Sequence, residues 1–142
     1  MIKDVIIHYS GPGMKRDMDL VRELLLRLEA LHIPAGSMFI LDFAKPPLKA
    51  DGESIGEIAY AVRMLEHAGF LDLTPTQPAM GVCLRGLTWN GHDFLDSIRD
   101  PEIWRKTKAG AQLAGGFTVE LLGALARGFI KTQIEKHTGV KL

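Results

Sequence analysis

The stretch from Ser54 to Asp96 decides the fold: S-I-G-E-I-A-Y-A-V-R-M-L-E-H-A-G-F-L-D-L-T-P-T-Q-P-A-M-G-V-C-L-R-G-L-T-W-N-G-H-D-F-L-D. Ser54 with Glu57 three positions later is a capping-box start and Gly69 is a stop signal, so a helix is predicted between them. Ile55, Ile58, Ala59, Val62 and Leu65 recur at helical spacing and form its buried stripe. F-L-D-L then reads as a short strand, T-P-T-Q-P as a turn and M-G-V-C-L-R-G-L as a returning strand. Thr88 caps a further helix that carries Phe94, Leu95 and Ile98 inward. A helix feeding an antiparallel hairpin predicts an α+β, mainly helical chain ordered as a winged helix, with additional C-terminal helices.

By subtraction, Glu57, Tyr60, Ala61, Met64 and His67 on the first of these helices face outward, with Arg63 at the margin. In a DNA-binding winged helix this element would lie in the major groove. Its charge opposes that role. Glu57, Glu66 and the nearby Asp72 outnumber Arg63, and an acidic helix repels the phosphates that supply most of the affinity.

Upstream, the helical period is clear from Asp17, with Met18, Val21, Leu25 and Leu28 on one stripe and Leu24 and Leu31 beside it. Arg22, Glu23, Arg27 and Glu29 fall on the opposite face. Pro34 and Gly36 end this element, and S-M-F-I-L-D-F at Ser37 to Phe43 is a short strand expected at the edge of the hairpin. A-K-P-P-L-K-A-D-G-E, at 44–53, holds two prolines and a D-G turn, so a loop replaces the usual second helix of a helix-turn-helix. Residues 1–13 stand apart. Val5 to Tyr9 suit a strand, but the segment equally reads as an extension before an alternative start at Met14.

Downstream, Asp100 and Pro101 start another helix by cap and preorganised first position, with Ile103 and Trp104 inward and Arg105, Lys106 and Lys108 outward. A-G-A-Q-L-A-G-G at 109–116 reads as a flexible connector. Thr118 and Gly139 bound a long helix whose apolar positions are Val119, Leu122, Leu125, Ala126, Phe129, Ile130 and Ile134. Glu120, Arg127 and Lys131 interrupt it, which is incompatible with a membrane span. Gly123, Ala124 and Gly128 permit close approach of another helix, either the first helix of the same chain or a second copy in a homodimer. The expected organisation is an extension (1–13), a winged-helix-like domain (14–109), a connector (110–117) and a C-terminal helix (118–142).

The chain has 142 residues, 46% hydrophobic and 24% charged, with 17 basic and 17 acidic side chains. That length supports one real core, and zero formal charge leaves no global field to attract nucleic acid or an anionic membrane. The lone Cys83 excludes an internal disulfide and lies mid-strand, where a buried thiol is expected. No cationic region followed by a long apolar run opens the chain, so a cytoplasmic protein is expected. His8, His32, His67, His92 and His137 fall in five different elements without zinc-ligand spacing, so no metal is expected. Phosphate-binding, dinucleotide and nucleophile-elbow motifs are absent; neither a catalytic residue nor a cofactor is expected, and the chain does not read as an enzyme. Asp93 and Asp96 suit a solvated surface or a cap better than a carboxylate pair. Trp89 is expected to pack between hairpin and helix, with His92 bonded to a backbone group; the alternative for the two is a partner-binding patch.

Three motifs in order carry a family resemblance: M-K-R-D-M-D-L-V-R-E-L-L-L at Met14 to Leu26, E-I-A-Y-x-V-x-M-L-x-x-A-G-F-L at Glu57 to Leu71, and L-T-W-N-G-H-D-F-L-D-S-I-R-D-P-E-I-W at Leu87 to Trp104. They resemble a domain-of-unknown-function family found in bacteria, phages and prophages, with a winged-helix-like pattern. Members commonly begin at the methionine matching Met14. They often carry histidine after the tyrosine, where this chain has Ala61. The resemblance implies fold and a mobile-element setting, and no reaction.

Two function classes follow. The first is a protein-interaction module, of the kind that modulates a host protein, with a host or phage protein held by Tyr60, Met64, His67 and Phe70. The second is a transcriptional regulator that binds duplex DNA, with Lys15, Arg16, Arg63, Arg85, Arg105, Lys106 and Lys108 as phosphate contacts.

Overall fold

Among the described residues, five helices and one small sheet follow in the order α1 (Met18–Glu29), β1 (Phe39–Asp42), α2 (Ile55–His67), β2 (Leu71–Leu73), β3 (Gly81–Leu87), α3 (Trp89–Ile98), α4 (Pro101–Ala114) and α5 (Val119–Thr138). The computed structural model describes residues 16–142. The extension over 1–13, its candidate strand, and Lys15 lie outside the described residues.

Each helix starts where a side chain can replace a missing backbone partner. Asp17 accepts from the Leu20 N–H at 3.1 Å, Ser54 from Glu57, Thr88 from Gly91, Asp100 from Ile103 and Thr118 from Leu121. Gly115 and Gly139 end α4 and α5 in the left-handed conformation, at φ 82° and 72°. Gly69, at φ 74°, turns the chain from α2 into β2.

β3 is the central strand of an antiparallel sheet ordered β1-β3-β2. Phe39 stands opposite Leu84 and Leu41 opposite Val82 on one side, and Leu71 opposite Leu87 on the other, with an irregularity between Asp72 and Leu73. The segment Ser37 to Phe43 thus supplies the edge strand. Leu41, Val82 and Leu84 face the helices and join Leu24, Leu25, Ile58, Val62, Leu65, Leu95 and Ile98 in one core. Burying each such side chain contributes about 1.5–3 kcal/mol. The proline-containing loop is part of that core, because Phe43 and Leu48 are buried within it.

Several expectations require correction. Arg22 and Arg27 are half-buried struts. The Arg22 guanidinium donates to the carbonyls of Ile98 (2.9 Å) and Arg99, bracing α1 against the C-terminal end of α3. Arg27 donates to the Leu48 carbonyl and forks onto Glu53 at 2.7 and 2.9 Å, tying the loop to α1. α1 stops at Glu29, ahead of Pro34, and Ile55 is 39% exposed. The expected connector at 110–117 is helical as far as Ala114, because Ala111 is fully buried and Gly110 lets Leu125 of α5 pack against the α4 backbone. Only Gly115, Gly116 and Phe117 precede the Thr118 cap.

α5 packs on α4 and α3 through Leu122, Gly123 and Ala126. Beyond Ile130 nearly all of its positions are exposed, so Ile134, expected on the buried face, is 38% exposed. Among the described residues, no helix is long and apolar enough to cross a membrane.

Candidate functional site

α2 sets its buried stripe of Ile58, Ala61, Val62 and Leu65 against α1 and the sheet. Ala61, expected to face outward, is therefore buried. Tyr60, Arg63 and Met64 are half-exposed and His67 is fully at the surface. Arg63 is not free to reach a ligand. It pairs with Glu66 at 3.2 Å and lies over the Phe43 ring, 5.7 Å from its centre.

The C-terminal end of α2 borders a hollow of about 210 Å³ lined by Met64, His67, Phe70, Met18, Val119 and Arg16. Three of the four residues expected to hold a partner thus meet at one place. Tyr60 does not line it. Phe70 contributes only an edge, because it is buried and stacks on Phe94 with ring centres 5.0 Å apart. The reason lies in Gly91: a side chain there would collide with the Phe70 carbonyl, so α3 presses directly on the chain leaving α2. Phe94, one turn further along the same face, then meets the Phe70 ring. Glycine and phenylalanine three apart were the sequence signal for this contact.

The same geometry corrects Trp89. Two residues from Gly91 is more than half a helical turn, so Trp89 points away from the sheet and is 83% exposed. His92 faces the Glu29 carboxylate at 3.7 Å rather than a backbone group. Glu29 in turn forks onto Arg99 at 2.6 and 2.7 Å, and Arg99 also holds Asp96. The Arg99 hydrogen bonds hold the Glu29 carboxyl below its ordinary pKa, and both carboxylates push the Arg99 value up.

Arg16 and Met18 also line a second, larger hollow of about 590 Å³, bordered by Asp17, Asp19, Arg105, Lys108, Gln112 and Phe117. Of the candidate phosphate contacts, Arg16, Arg105 and Lys108 converge here. Two of these cations are already engaged: Arg105 with Glu102, and Lys108 with Asp19 at 2.9 Å and over the Trp104 ring. Trp104 Nε1 donates to the same Asp19 oxygen at 2.8 Å. Burial raises the Asp19 pKa, but Lys108 and Trp104 outweigh it and the net shift is downward. Arg85 is remote on β3 and faces Asp72 at 3.9 Å, while Lys106 is exposed on α4 and lines neither hollow.

Cys83 is buried, with its sulfur 3.3 Å from that of Met38. Among the described residues no group of three or more histidine, cysteine, aspartate or glutamate side chains is arranged to hold a metal ion.

Comparison with known proteins adds a family. No solved structure matches the chain. An uncharacterised protein of Haemophilus influenzae is 32% identical over 97 residues, covering 67% of this chain and 76% of the relative. The family model described as hypothetical protein DUF2513 matches residues 15–117, the span holding α1 to α4 and the sheet, and the chain belongs to that family.

Proposed function

We propose that the protein is a protein-interaction module, built on a winged-helix variant whose second helix is replaced by the loop carrying Phe43 and Leu48. It acts by binding a host or phage protein on the surface formed by Met64, His67 and the rim of Phe70. The observation that carries this reading is the shared hollow: residues of α1, α2 and α5 meet around Met18 with a mostly apolar lining and Arg16 at its margin. Apolar walls with one or two fixed charges suit a protein side chain better than a phosphate backbone.

The regulator reading has weaker support. A DNA-binding face needs several cations free to neutralise phosphates. Here Arg63, Arg85, Arg105 and Lys108 each face a carboxylate of the same chain.

The test is affinity capture with the full chain, comparing wild type, the double variant Met64→Asp, His67→Asp, and Lys106→Ala as a control. The expected result is a protein captured by wild type and by the control and lost in the double variant. Capture indifferent to the double variant would remove this surface from consideration.

A further inference from the structure

α5 has a second apolar strip beside its buried positions Leu122 and Ala126. Leu121, Ala124, Leu125, Gly128, Phe129 and Thr132 line a shallow groove of about 420 Å³ along it. Leu125 packs against Gly110 of α4, and Leu113, one turn beyond Gly110, is 92% exposed. Gly128 is not required by the fold: a side chain there would meet no atom of the same chain within 4 Å. Glycine in a helix interior is unfavourable relative to alanine, and here it leaves the backbone open to close approach from outside.

The charges on the strip's margin indicate what approaches. Glu120 and Lys131 are exposed and form no ion pair among the described residues. They are separated by close to three helical turns (about 10.8 residues), so both lie on one margin of the groove, one before its centre and one after it. Arg127, between them, lies back along its own helix against Gly123. A second α5 running antiparallel and crossing midway between Ala124 and Gly128 would bring each Glu120 beside the partner's Lys131, and the two helix dipoles would oppose.

We propose that α5 is a self-association surface, pairing antiparallel with α5 of a second copy across Ala124 and Gly128. The two-fold arrangement makes one strip complementary to itself, as an isologous dimer requires. The proposal is independent of the hollow at Met64, which lies at the other end of the helix beside Val119.

Sedimentation equilibrium of the full chain at micromolar concentration tests it. Wild type is expected to be dimeric. Gly128→Leu has room for its Cβ within its own chain and is a better helix former, so it is expected to stay folded, with helix content by circular dichroism no lower than wild type, while sedimenting as a monomer. Glu120→Lys should weaken association roughly tenfold, and Glu120→Lys with Lys131→Glu should restore it. A monomeric wild type, a dimeric Gly128→Leu protein, a Glu120→Lys protein that associates as wild type does, or a double reversal without recovery would each overturn the proposal.

Discussion

α2 and α5 look alike as sequences and fare differently as structures. Both carry an apolar residue at nearly every third or fourth position, bounded by a polar cap and a left-handed glycine. α2 has 13 residues and buries Ile58 and Val62 completely between α1 and the sheet. α5 has 20 residues, buries only Leu122, Gly123 and Ala126, and runs on past its last neighbour. Periodicity therefore reports that a face is suited to burial; the number of neighbouring elements decides whether the same chain buries it. The difference also locates the available surfaces, which are the end of α2 and the outer strip of α5.

The sharpest test of that contrast compares truncations on the two helices. Ile58→Ala opens a cavity in close-packed surroundings and is expected to cost about 2–5 kcal/mol in denaturant unfolding. A loss below about 1 kcal/mol would mean that the α2 stripe is not the centre of the core. Gly91→Ala forces α3 away from the Phe70 carbonyl, with an expected loss of about 1–3 kcal/mol and a disturbed Phe70–Phe94 stack visible in near-ultraviolet circular dichroism. An unchanged spectrum would show that α3 docks differently.

Acid sensitivity should follow the carboxylates that brace α1. The Arg27 hydrogen bonds hold the Glu53 carboxyl below its ordinary value near 4.5, and Glu29 is lowered likewise by Arg99. Carboxylates lowered in the folded state bind fewer protons there than in the unfolded chain, so their stabilisation is complete above the unfolded value. It is lost as pH falls through about 4.5 and on through the depressed folded values. Glu53→Gln is therefore expected to lower stability at neutral pH and to flatten its decline in acid. A decline as steep as wild type would show that the Arg27–Glu53 fork contributes nothing. The smallest effects belong to the exposed group: Ile134→Ala and Trp89→Ala should each change monomer stability by no more than about 0.5 kcal/mol. A larger loss at either site would mean that its side chain is covered.

How much of this was legible in the sequence depends on how local each signal is. The caps at Ser54, Thr88, Asp100 and Thr118 are local chemistry, and all four stand where the sequence put them. The hairpin of β2 and β3 and an edge strand at β1 were legible, whereas the pairing of β1 with β3 and not β2 is a tertiary outcome. Errors came where a tertiary contact overrode local preference. Glycine and alanine at 110–114 suggested a connector, but Gly110 is small because Leu125 packs on it. Trp89 was expected inside because of its size, while the small Gly91 took the buried position. Arg22 and Arg27 were assigned to solvent by charge, though the backbone carbonyls of Ile98 and Leu48 were waiting for donors. Of the candidate site, Met64, His67 and Phe70 could be placed near one another from α2 alone. The contributions of Arg16, Met18 and Val119 needed three helices to meet, which no local pattern encodes.

Retention of a labelled mixed-sequence duplex by the full chain at about 50 mM salt tests most directly the proposal that the protein binds a protein partner and not DNA, because phosphate contacts are strongest there. No retention above that of a neutral control protein is predicted. Retention that falls steeply with added salt and disappears in an Arg16→Ala, Arg105→Ala, Lys106→Ala variant would contradict the proposal.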